Sequence, residues 1–202
     1  GMFFLGALYL QRILGYDALE IGLAFLPVTI IMGTLSVRYS ERLVTRFGAR
    51  NTLIPGFVLI IAGLVWFTRA PVDGHYVTDV LPVMVLLGTG AGISFPALMG
   101  LAMSGVRPQD AGLASGLVNT TAQVGGALGL AVLATFATSR TTHLLADGHS
   151  TASALTSGYQ LAFWIAAGLM TAGLVVALTV LKPVSQAATE PATEDDLDYA
   201  TA

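Results

Sequence analysis

The chain has 202 residues, 54% of them hydrophobic and only 10% charged, with nine Lys and Arg against twelve Asp and Glu. Soluble domains carry roughly 25% charged residues, so an ordinary soluble fold is excluded. Five acids, Glu190, Glu194, Asp195, Asp196 and Asp198, sit in the C-terminal tail and leave the rest weakly basic, a balance that implies neither nucleic acid nor an acidic partner.

The first element, residues 2–14, reads MFFLGALYLQRIL. As a helix it rises only about 20 Å, short of the roughly 30 Å hydrocarbon core. It lacks the basic n-region and cleavage site of a signal peptide, and Met2 to Leu10 offer no charged face for an interfacial helix. The expectation is the outer half of a spanning helix, in a chain that is a C-terminal piece of a longer protein lacking its N-terminal bundle. Apolar runs follow at about 21–39, 52–67, 81–103, 113–137 and 159–181. Each suits one crossing of the lipid bilayer, and none holds Asp, Glu or Lys well inside, where a charge costs at least about 2.5–3.5 kcal/mol. The expected fold class is an all-α integral membrane bundle over residues 1–183, one partial helix and five spans, followed by a disordered acidic tail over 184–202.

Two sets of loops alternate along this pattern. One holds Arg38, Arg42, Arg46, Arg50, Arg107 and Lys182; the other holds Arg12, Arg69 and Arg140. Cytoplasmic loops retain the positive excess, which places the first set and the C-terminus in the cytoplasm of a cell-membrane protein. The polar stretches 15–20, 69–76 and 141–158 then form outer loops. Tyr159 and Trp164, near the outer end of the last run, suit the interfacial aromatic belt.

Glycine is abundant, 23 residues, and mostly lies inside the runs. Small residues let membrane helices approach closely. Gly88, Gly90 and Gly92 precede Pro96, and Pro27 lies within the first full run. Each proline removes a backbone hydrogen bond and kinks its helix, tolerable where a neighbour or cavity satisfies the freed carbonyl.

The stretch 111–132, AGLASGLVNTTAQVGGALGLAV, carries the most specific pattern. At about 100° per residue, Gly112, Ser115, Gly116, Asn119, Gln123, Gly126 and Leu130 share one stripe, and Ala122, Gly125 and Gly129 another. One face is polar and small, the other small and apolar, as for a helix packed on one side and facing a cavity on the other. Asn119 and Gln123 are amides one turn apart, fit to touch a ligand or to hydrogen-bond a facing helix. Asn119-Thr120-Thr121 matches a glycosylation sequon, but its depth in the bilayer rules out modification.

Three segments, 9–27 (YLQRILGYDALEIGLAFLP), 42–50 (RLVTRFGAR) and 111–129, together resemble the C-terminal half of a major facilitator superfamily transporter. More narrowly, they are similar to the fourteen-helix drug:proton antiporters of the EmrB/QacA type, over about residues 2–183. The resemblance implies the second six-helix bundle, with its first helix truncated, and rocking of two bundles about a midplane site. It implies a proton-driven multidrug efflux antiporter in which Asn119, Gln123, Ser115, Phe95 and Met99 line the substrate pathway. Arg42, Arg46, Gly48 and Arg50 would be the second-half copy of a cytoplasmic gating motif. That motif usually has Gly and Asp ahead of R-x-G-R, where this chain has Glu41 and Thr45, so no gating ion pair is available at Thr45. Apart from the resemblance, Arg46 and Arg50 could meet lipid phosphate or helix C-terminal carbonyls, or only fix topology, and Gly48 permits a tight reversal. The prolines and the stripe glycines Gly112, Gly116, Gly125 and Gly129 would serve helix packing and kinking.

A proton-coupled carrier needs a carboxylate inside the membrane, yet Asp17, Glu20 and Asp79 lie only at run margins. The resemblance puts the coupling acids in the missing bundle, so an amphipathic substrate and protons are expected as partners of the longer protein only. No cofactor is expected. Cysteine is absent, and His143, Asp147 and His149 read as a solvated loop rather than a metal site. No clustered His, Asp, Glu or base-paired Ser points to an intramembrane enzyme. The alternatives are a non-transporting membrane scaffold and half of a uniporter or other carrier.

Overall fold

The computed structural model describes residues 1–181. Among them no strand occurs, and the helices run α1 (Met2–Arg12), α2 (Ala18–Ala24), α3 (Leu26–Arg38), α4 (Ser40–Phe47), α5 (Ala49–Phe67), α6 (Leu81–Met103), α7 (Ala111–Ala146) and α8 (Thr151–Val180). A π-helical turn (Tyr76–Val80) leads into α6, and a 3-10 turn (Pro108–Asp110) into α7. Five stretches, Ala18–Arg38, Ala49–Phe67, Tyr76–Met103, Pro108–Ala146 and Thr151–Val180, are long and apolar enough to cross a membrane. The tail expected to be disordered lies outside the described residues.

Helix order alternates the two ends of the bundle. Arg12, the 68–75 connection and the α7–α8 turn share one end; Arg38, α4 and the 104–107 connection share the other, the arginine-rich end. The core forms where α1, α3, α5, α6 and α8 meet, around Tyr9, Phe67, Met84 and Phe163, all nearly inaccessible. Tyr9 meets Phe67 edge-on at 5.4 Å, and Phe67 meets Phe163 at 4.5 Å. Each such aromatic pair adds about 0.5–1.5 kcal/mol beyond its buried area.

Three expectations change. The first full run is two helices, because the chain breaks at Phe25 and Pro27 stands in the first turn of α3, where its missing N–H does no harm. Pro27 therefore starts a helix instead of kinking one. Asp17 caps α2 by accepting the Glu20 N–H at 2.8 Å while Glu20 accepts the Asp17 N–H at 2.9 Å, a reciprocal capping box.

The arginine-rich loop is helix α4, ended by Gly48 at φ +81°, a value that favours glycine. Arg46 and Arg50 thus belong to different helices.

The expected outer loop 141–158 is a helical hairpin with a turn at 147–150. Gly148, at φ +84°, ends α7 as its N–H donates to the Leu145 carbonyl, and the Ser150 hydroxyl caps the start of α8. Helix α7 has 36 residues, about 54 Å of rise, well beyond the hydrocarbon thickness. Since α8 begins at Thr151, Tyr159 lies two turns inside it and is buried, whereas Trp164 is exposed.

Candidate functional site

The glycines of α6 set the interior geometry. A Cβ on Gly88 would fall 2.9 Å from the Val28 carbonyl oxygen, and one on Gly92 2.9 Å from that of Met32, so α3 lies directly against α6. On the other side a Cβ on Gly90 would fall 2.6 Å from the Gly56 carbonyl oxygen of α5. No side chain fits between these backbones, which is the close approach expected for glycine within membrane helices.

Hydroxyls of neighbouring elements serve open helix carbonyls at two places. Pro96 has no N–H to give the carbonyl four residues before it, that of Gly92; there the Ser36 hydroxyl of α3 donates at 3.1 Å. At the α2–α3 break the Tyr76 hydroxyl donates to the Ala24 carbonyl at 2.7 Å. At the same end the Tyr9 hydroxyl donates to Pro71 O at 2.6 Å and the Gln160 amide to Ala70 O at 2.9 Å, tying down the 68–75 connection. Ser36, Tyr76, Tyr9 and Gln160 were not singled out in the sequence; only Pro96 signalled that a donor was needed.

The expected pathway residues occupy an open face. Asn119, Gln123 and Ser115 are exposed, Phe95 is 53% exposed, and Met99 is half-buried. Within this chain nothing lies within 4 Å of a Cβ at Gly112, Gly116, Gly125, Gly126 or Gly129, so the close helix contact expected at Gly112, Gly116, Gly125 and Gly129 is not made by the described residues. The reason is geometric: α7 packs on α8 near Leu133, Ala137 and Gly158, while most side chains of its first five turns are exposed. The structure does hold a half-open apolar pocket of about 310 Å³ at mid-height, lined by Phe3, Met32, Ile60, Leu64, Leu87 and Leu133 among others. None of Asn119, Gln123, Ser115, Phe95 or Met99 lines it.

At the arginine-rich end, Arg42 and Arg46 are exposed on α4, and the Arg46 guanidinium lies 5.4 Å from the Phe47 ring. Arg50 starts α5 and donates to the Leu178 carbonyl in the last turn of α8 at 2.9 Å, one of the three uses open to it from the sequence. Thr45 donates its hydroxyl to its own helix, at Glu41 O. Arg107 and Asp110 pair at 2.8 Å on the surface, a contact worth little.

All described carboxylates lie at helix ends or in connections. Asp79, in the first turn of the Tyr76–Met103 stretch, accepts from the His75 N–H at 2.8 Å and the Thr78 hydroxyl at 3.0 Å, and so caps its own helix. Among the described residues no three His, Asp or Glu are grouped as metal ligands would be.

Residues 1–130 match the family described as the Major Facilitator Superfamily. The puromycin resistance protein of Streptomyces alboniger is 35% identical over 197 residues, which cover 94% of this chain and 39% of that protein. The cephamycin export protein of Amycolatopsis lactamdurans is 37% identical over 182 residues, 90% of this chain and 35% of that protein. The tetracenomycin C resistance and export protein of Streptomyces glaucescens is 32% identical over 148 residues, 73% of this chain and 27% of that protein. The chain spans less than two fifths of the length of each of these relatives.

Proposed function

Since the chain belongs to the Major Facilitator Superfamily, and so to a family of multi-pass membrane transporters rather than enzymes, we propose that it supplies the C-terminal bundle of a proton-driven exporter of amphipathic small molecules. The finer assignment is the fourteen-helix drug:proton antiporter type, working by alternating access in the cell membrane, with the arginine-rich end and the C-terminus cytoplasmic.

The observation that carries this reading is the bare half of α7. Exposed Asn119 and Gln123 would each cost a few kcal/mol against hydrocarbon if left unpaired, and five glycines beside them leave room for a facing helix or a ligand. A second bundle would cover this stripe and turn it into one wall of a pathway, with Ser115, Phe95 and Met99 beside it and Gly112, Gly116, Gly125 and Gly129 giving close approach. Relatives named for puromycin, cephamycin and tetracenomycin C support antibiotic-like substrates. Coupling carboxylates would come from the other bundle, since those described here sit at helix ends.

A chimera tests the reading. The chain is joined to the complementary N-terminal part of the puromycin resistance relative and expressed in a pump-deficient bacterium. Puromycin resistance that collapses with a protonophore is expected, while the 202-residue chain alone gives none. Export that ignores the protonophore, or uphill export by the chain alone, would overturn it.

A further inference from the structure

At the arginine-poor end α1, α7 and α8 line a second, half-open cleft of about 340 Å³, apart from the mid-height pocket and from the Asn119 stripe. Phe4, Leu8 and Leu155 make an apolar wall, and Arg12, Thr138 and Tyr159 supply polar groups. Tyr159 is only 5% exposed, and its buried hydroxyl proton has no acceptor among the described residues. An orphaned buried O–H is costly and rare enough to need a reason. The Arg12 guanidinium stands next to that hydroxyl, and among the described residues no carboxylate pairs with Arg12.

The balance of donors and acceptors identifies the ligand class. The Thr141 hydroxyl already donates to Ala137 O at 2.8 Å, and that of Thr142 to Thr138 O at 3.0 Å. What remains is a guanidinium, a phenol O–H and the Thr138 hydroxyl, with no carboxylate in the lining. These donors and the fixed positive charge suit an oxyanion and repel an organic cation. The apolar wall beside them suits an alkyl chain. We propose that this cleft binds the carboxylate or phosphate head of an amphipathic molecule, with Arg12 and Tyr159 as its donors. Placement of Arg12 near the last carbonyls of α1 would account for the arginine alone, but leaves the Tyr159 hydroxyl unexplained. The binding requires no transport, so it stands apart from the efflux reading.

The test is calorimetric titration of the 202-residue chain in a neutral maltoside detergent with decyl phosphate, decanoate and decyltrimethylammonium. The two anions are expected to bind at least about tenfold tighter than the cation, the difference one charge-assisted contact supplies. Arg12→Gln should remove about tenfold of anion affinity, Arg12→Lys should keep part of it, and Tyr159→Phe should lose several-fold while preserving the packing of the ring. Circular dichroism confirms that each variant is folded, and Tyr159→Phe decides the matter if Arg12→Gln is not. Equal anion affinity in wild type and Tyr159→Phe, or a cation bound as tightly as decyl phosphate, would overturn the site. Nanodiscs then identify the source. If phosphatidylglycerol discs weaken decyl phosphate binding relative to phosphatidylcholine discs, the natural occupant is a lipid headgroup; equal affinity in both makes it a diffusible amphiphile.

Discussion

Ser36 on α3 gives its hydroxyl proton to the carbonyl of Gly92 on α6, the acceptor that Pro96 leaves without an amide. Removing the donor should cost more than an average hydrogen bond, because a buried carbonyl is then left unpaired, about 1–3 kcal/mol. Ser36→Ala is therefore expected to lower the thermal midpoint of the detergent-solubilised chain. In a Pro96→Ala background, where the residue 96 N–H can serve Gly92, the same substitution should cost clearly less. An equal loss in both backgrounds would break the link between the two residues.

Gly90 and Gly125 are both glycines of membrane helices with opposite surroundings. A Cβ at Gly90 meets the Gly56 carbonyl oxygen at 2.6 Å, while one at Gly125 meets nothing within 4 Å. Gly90→Ala should force α5 and α6 apart, costing about 1–3 kcal/mol, and reduce the folded fraction in fluorescence-detected size exclusion. Gly125→Ala in the same 202-residue chain should leave that fraction unchanged or slightly raised, given the roughly 1 kcal/mol by which alanine exceeds glycine in helices.

Arg50 ties the start of α5 to the end of α8 through the Leu178 carbonyl. The contact is partly exposed, so Arg50→Met should cost only about 1 kcal/mol. The loss should be local: hydrogen exchange at the last turn of α8, including the Leu181 amide that donates to Ala177 O at 3.2 Å, speeds up while exchange in the middle of α5 does not.

Orientation can be read with thiols, since the chain has no cysteine of its own. His149→Cys lies in the α7–α8 turn and Thr45→Cys on α4, both at exposed positions. From the arginine asymmetry, an impermeant maleimide in intact cells should label the first and spare the second. The reverse pattern would invert the topology.

The spans were legible because continuous hydropathy needs no partner to be read. Pro96 was legible as a fault, but its repair was not: Ser36 and Gly92 are 56 residues apart, and Tyr76 and Ala24, which meet at the α2–α3 break, are 52 apart, and hydroxyl donors at such separation leave no local signature. The α7–α8 hairpin was readable in principle. Gly148 followed by Ser150 is a helix stop and a helix start in three residues, yet the many Thr and Ser on either side look like loop. The same holds for Asp17 and Glu20, whose spacing is that of a capping box. Glycine at i, i+4 reads identically whether its face is covered or bare, so Gly90 and Gly125 could be told apart only in three dimensions.

The two repaired breaks also set a timetable. Chains emerge at about 5–20 residues per second, so the Ser36 hydroxyl is in the membrane several seconds before the Gly92 carbonyl arrives to meet it. The Ala24 carbonyl has the opposite fate, waiting a similar time for the Tyr76 hydroxyl. Both contacts close on the same event, the entry of residues 76–103 beside α3. Until then the earlier helices carry an open acceptor in hydrocarbon, and a chain arrested before that entry would offer quality-control proteases an incomplete bundle. The segment from Tyr76 to Met103 acts as the clasp of the assembly, completing in one insertion what two earlier helices leave undone.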